Sequence, residues 1–238
     1  MIDMPKVERG KKGNDEGGIA LDQVLIAWAK EFVQEYQKYG FYRNMSPQEE
    51  EEAADKLARG IVQNEGWFPD WILVNDERNT YWFDSEWTGD LEHMFSEFLT
   101  ELCKVTLGEL KFENIREHIV LERDKGPSWV EFDWMGRKHH IDARGLGDYI
   151  DYKSLVSYIN DQLEKAGNPR RFVHLFNTVD QNAMLAFLRL EDLQRLQKEK
   201  GWPADTDNTQ LFAPVKRQPA RPPSRKKGSS VESKSKKK

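Results

Sequence analysis

"WVEFDWMGRKHHIDA", residues 129–143, decides the fold. Val130, Phe132 and Trp134 alternate with Glu131 and Asp133. Successive side chains of a strand point to opposite faces, so this run reads as a strand with one apolar and one wet face. Gly136-Arg137 suits the centre of a two-residue hairpin loop that takes glycine first. A return strand is then expected over 138–143. A third strand before the turn Asp124-Lys125-Gly126-Pro127 completes an antiparallel meander over about 115–143.

That turn sets a register, and the register sets the chemistry. Trp134 is expected opposite His139, Asp133 opposite His140, and Glu131 opposite Asp142. The adjacent histidines therefore face opposite ways. Placing Leu121 opposite Val130 keeps the apolar face continuous and puts His118 opposite Asp133. The wet face then carries a row His118–Asp133–His140, with Glu131 and Asp142 beside it. Cross-strand Cβ atoms lie about 4.5–5.5 Å apart. Two imidazoles flanking a carboxylate could hold a divalent transition metal or move a proton. His118, Asp133 and His140 are the catalytic candidates, and Glu131 and Asp142 join them as metal candidates. The plainer reading is a solvated sheet face with modest His–Asp pairs, and no cofactor is expected. His139 is expected partly buried at the edge of Trp134.

Outward from the meander the chain alternates helices with short strands. Apolar residues recur at helical spacing over 21–39, 90–104 and 152–166. Ser46-Pro47-Gln48-Glu49 has the form of a capping box opening a helix to about residue 64. A last helix is expected over 191–200, stopped by Gly201. Residues 71–74 and 80–83 read as a hairpin around Asn75–Asn79, and 171–176 with 183–190 as another pair. Hairpin strands mixed with four to five amphipathic helices define an α+β fold. A single domain is expected over 19–203. Residues 1–18 read as a flexible lead and 204–238 as a disordered linker with a basic tail.

Charge is unevenly spread. The chain of 238 residues has a net charge of −5. Residues 214–238 hold ten Lys or Arg and one acid, so residues 1–213 carry −14. Arg225, Lys226, Lys227, Lys236, Lys237 and Lys238 could touch a polyanion, either nucleic acid or an anionic surface. An acidic body would repel phosphate elsewhere, which argues against wrapping a duplex. One cysteine, Cys103, forbids an intrachain disulfide and suits a reducing compartment. Neither a membrane span nor a secretory leader is read, so a cytoplasmic protein is expected.

Aromatics crowd residues 67–87, interleaved with acids. A hairpin cannot bury all of them on one face. Trp71, Trp82 and Trp87 with Asp84 and Glu86 are the candidate partner-binding set. The function expected is a non-enzymatic binding module for a basic protein, of the kind that inhibitors and immunity proteins represent. The alternative is a metal-assisted hydrolase on the His/Asp row, and the third is a nucleic-acid accessory protein acting through the tail.

Overall fold

The computed structural model describes residues 23–63, 76, 78–122, 126–175 and 182–202. The expected leader, the tail and the strand over 71–74 lie outside them. The architecture is α+β, with five helices and two antiparallel three-stranded sheets among the described residues.

The helices form where the apolar spacing and the caps predict. Helix α1 spans Gln23–Gln37 and buries Leu25, Trp28, Ala29, Phe32 and Val33. Helix α2 spans Pro47–Gln63. Its capping box closes both ways: Ser46 Oγ accepts from Glu49 N at 3.3 Å, and Glu49 Oε2 accepts from Ser46 N at 2.6 Å. A 3₁₀ turn at Leu91–His93 leads into helix α3, Met94–Val105. Helix α4 spans Tyr152–Lys165 behind an Asp151 cap, and helix α5 spans Leu190–Lys200. Gly201 ends α5 in the left-handed conformation, with φ 66°.

Strand β1, Thr80–Asp84, pairs with β6, Asn182–Arg189, and β6 pairs with β5, Arg170–His174. The first sheet therefore runs β1-β6-β5. Its middle strand is apolar almost throughout because both of its faces are covered. Ala183, Leu185 and Phe187 join one core, and Met184, Ala186 and Leu188 join the other. The second core is filled by α1, α2 and α5.

The second sheet is the meander: β2 (Glu113–His118), β3 (Pro127–Trp134) and β4 (Arg137–Arg144). Val130, Phe132, Trp134, Ile141 and Ala143 turn into the first core, where α3 and α4 pack between the two sheets. The face assignment holds, but the register does not. Trp134 pairs with Arg137, Phe132 with His139 and Glu131 with His140. The loop centre is Met135-Gly136, with φ 52° and 72°, and not Gly136-Arg137. Two left-handed residues make the type I′ loop, whose twist matches the strands. Moving the loop by one residue moves every pairing by two, so each side chain keeps its face and changes its neighbour.

The β2–β3 register is also corrected. His118 lies opposite Trp129, Arg116 opposite Glu131 and Glu113 opposite Asp133. One extra β2 residue is accommodated in a bulge between Glu113 and Arg116, where Asn114 has φ 52°. Alternation in the sequence fixes the parity of a strand and says nothing about such an insertion.

Candidate functional site

The two register shifts dissolve the His118–Asp133–His140 row. The indole of Trp129 stands between the imidazoles of His118 and His140, stacked on each at 5.8 Å between centroids. Asp133 accepts instead from Asn114 Nδ2 at 2.7 Å. His140 does meet the other two candidates. Its Nε2 lies 3.1 Å from Asp142 Oδ1 and its Nδ1 lies 3.3 Å from Glu131 Oε1. The bond to Asp142, then that to Glu131, raises the His140 pKa from its ordinary value. Among the described residues, no three His, Cys, Asp or Glu side chains converge as metal ligands would.

His139 has the opposite environment. It is 2% exposed and lies against Phe132 and Trp134. Its Nε2 is 3.0 Å from the Trp134 carbonyl, which can only accept, so Nε2 carries the proton. Nδ1 of the neutral ring then accepts from the Tyr158 hydroxyl at 3.0 Å. Burial lowers the His139 pKa. Tyr158, with Ser154 and Ser157, also lines an open cleft of about 510 Å³ between β4 and α4, beside His140 and Arg144. These α4 residues escaped sequence reasoning because nothing in a helix repeat says which strand it will meet.

The aromatic set divides. Trp82 is 44% exposed and lies on the α1–α2 side of the first sheet, with Nε1 donating to Asn182 Oδ1 at 3.1 Å. Asp84 shares that face and accepts from Glu86 N at 2.9 Å. Trp87 packs against the opposite core, and its buried Nε1–H has no acceptor among the described residues. Glu86 accepts from the Tyr149 hydroxyl at 3.3 Å. Trp71 lies outside the described residues, as do the six basic tail candidates.

The acids continue beyond Glu86. From Asn79 to Cys103 the chain holds six carboxylates and no Lys or Arg. Burial, and then the charges of Glu101 and Glu97, push the Tyr81 phenol up. The flank made by β1 and α3 is therefore aromatic and negative together. One of its neighbours is structural: Glu117, on β2, accepts from Phe95 N at 2.9 Å and Ser96 N at 3.3 Å and so caps α3. His93 approaches that same carboxylate at 3.5 Å, and not Glu97 one turn away.

A third polar cluster gave no readable signal. The loop after α1 has left-handed residues at Gly40, Tyr42 and Asn44, with φ 86°, 50° and 55°. Asp76 and Asn79, 1% and 0% exposed, hold it from beneath. Asp76 Oδ2 accepts from Tyr42 N at 2.7 Å and from Asn79 Nδ2 at 3.0 Å. Asn79 Oδ1 accepts from Arg43 Nε at 3.2 Å. Arg43 and Arg170 then share the two oxygens of Glu109, at 2.8 and 2.9 Å. Asp76 and Asn79 read in sequence as ordinary turn residues; their burial depends on a loop more than 30 residues earlier in the chain.

The fold and these clusters define a class, an α+β protein with a half-solvated meander. Compared with family models, curated proteins and solved structures, the chain matches none.

Proposed function

We propose that this protein is a non-enzymatic binding module that engages a basic protein partner through the β1–α3 flank. The observation that carries the reading is the 79–103 segment, with six carboxylates, no Lys or Arg, and Trp82 44% exposed at its start. An aromatic anchor beside carboxylates supplies desolvated contact area, while the charges steer a cationic surface toward it. Trp82 and Asp84 share the α1–α2 face of β1 while the α3 carboxylates lie across that strand beside Tyr81, so Trp82 and Asp84 make the direct contact and the α3 charges act at longer range. Trp87 serves as packing beneath that flank. An inhibitor or immunity protein for a basic enzyme is the narrower form of this reading, and the single Cys103 suits an intracellular setting. The tail supplies a second, looser contact with anionic surfaces.

The experiment is affinity capture by the full chain, by a Trp82→Ala/Asp84→Asn double variant and by a chain ending at residue 213. The reading predicts a basic partner retained by the wild type and by the shortened chain, released by high salt, and lost from the double variant. A partner retained equally by the double variant overturns the assignment to this flank.

A further inference from the structure

One pocket runs against the charge of the body. It opens beside Gln37 and Asn44, measures about 390 Å³, and is lined by Arg43, Glu109 and Arg170. Glu109 gives one oxygen to each guanidinium, so two positive charges share one negative charge. Each guanidinium has five N–H donors in a fixed fork. Arg43 uses Nε on Asn79 and Nη1 on Glu109, and among the described residues its buried Nη2 has no acceptor. Among the described residues, Glu109 is the side-chain partner of the Arg170 guanidinium. Burial, and next the Arg43 charge, lower the Arg170 pKa, as expected where positive charge is in excess.

The pocket is built and not incidental. Arg43 is 11% exposed, held at Nε by an asparagine that is itself fully buried and bonded to Asp76. Left-handed residues on either side of Arg43 carry conformational strain that persists only where the surroundings enforce it. A pre-oriented guanidinium pair matches the geometry of carboxylate and phosphate oxygens.

We propose that this pocket is an oxyanion site, in which Arg43 and Arg170 receive a phosphate or carboxylate group and Glu109 is the resident competitor. The site is separate from the β1–α3 flank and does not rest on the partner-binding reading. Glu109 holds the fork closed and neutralises half of it. A ligand oxyanion takes the unused edge of Arg170 and gains the second guanidinium as Glu109 swings out.

The sharpest test removes the competitor. Full-length wild type, Glu109→Gln and Arg170→Gln are titrated with inorganic phosphate, with chloride at matched ionic strength as reference, and binding is read from calorimetry and thermal unfolding. Glu109→Gln is expected to bind phosphate about tenfold more tightly than wild type, and Arg170→Gln at least about tenfold more weakly. A parallel citrate titration separates the two ligand chemistries: a gain in Glu109→Gln for citrate alone assigns a carboxylate, and for phosphate alone a phosphate group. If Glu109→Gln binds neither anion more tightly than wild type, the three residues are only a clamp and the site is wrong. If all three proteins bind alike, the anion sits on the basic tail and the site is equally wrong. Should Glu109→Gln fail to fold, wild type against Arg170→Gln decides, with equal affinities overturning the proposal.

Discussion

Strands β3 and β6 have the same length, eight residues each, and opposite surroundings. β6 feeds alternate side chains into two cores, so its apolar run is nearly unbroken. β3 feeds one core and shows its other side to water, so carboxylates and Trp129 occupy every second place. The first sheet is a structural partition. The second has a free face on which histidines, carboxylates and an indole can be exchanged without touching the core. Chemistry accumulates where one face of a sheet is released from packing.

The largest effects separate those sheets. Truncating adjacent β6 residues one at a time, Met184→Ala and Leu185→Ala, is expected to cost about 2–5 kcal/mol each, because each empties a different core. On β3, Phe132→Ala is expected to cost about 3–5 kcal/mol and its neighbour on the wet face, Glu131→Ala, less than about 1 kcal/mol. Urea unfolding midpoints read the contrast. Equal losses on both sides of β3, or a tolerated change at Met184, would break it.

A buried carboxylate supplies the next effect. Burial pushes Asp76 up to about 6, against an ordinary value of 3.8, although Tyr42 N and Asn79 donate to it. A group whose folded pKa is raised binds its proton more tightly in the native state. The stability it contributes is full below about pH 4 and is lost as pH rises through about 6, by about 3 kcal/mol. His139, with its lowered pKa, works the other way, so the comparison is made against Asp76→Asn. The difference between the two unfolding curves should shift in favour of Asp76→Asn between pH 4 and 7. A difference independent of pH would mean that Asp76 is already neutral or already ordinary.

Much of this architecture is legible in the sequence, and the failures have identifiable causes. The capping box at Ser46, the stop at Gly201 and the parity of β3 follow from local rules. The register of β3 on β4 does not, because Gly136 fits either the first place of one loop type or the second place of another. Met135 gives no hint that it takes a left-handed conformation. The bulge in β2 likewise depends on Asn114, which looks like any polar strand residue. Residues 80–83 are legible as a strand, but the sequence suggests a hairpin with 71–74 and does not show the pairing with β6, about 100 residues away. The loop held by Asp76 and the clamp on Glu109 are long-range for the same reason.

A smaller effect concerns Glu117. Its carboxylate caps α3 from a neighbouring strand, so Glu117→Ala should cost about 1–2 kcal/mol, as lost caps do. Backbone amide exchange should rise first at Phe95 and Ser96. Unchanged exchange there would remove Glu117 from the capping role.

The contrast between the two faces is tested most directly by one spectrum. His139 and His140 are neighbours in sequence and differ in everything their faces determine. Imidazole ¹⁵N NMR across pH 5–8 should show them moving apart. His139 should keep its neutral Nε2–H form to lower pH than an ordinary histidine, whose value is about 6.5, while His140 titrates above that value. Coincident titrations, or a protonated His139 beside a neutral His140, would contradict the account.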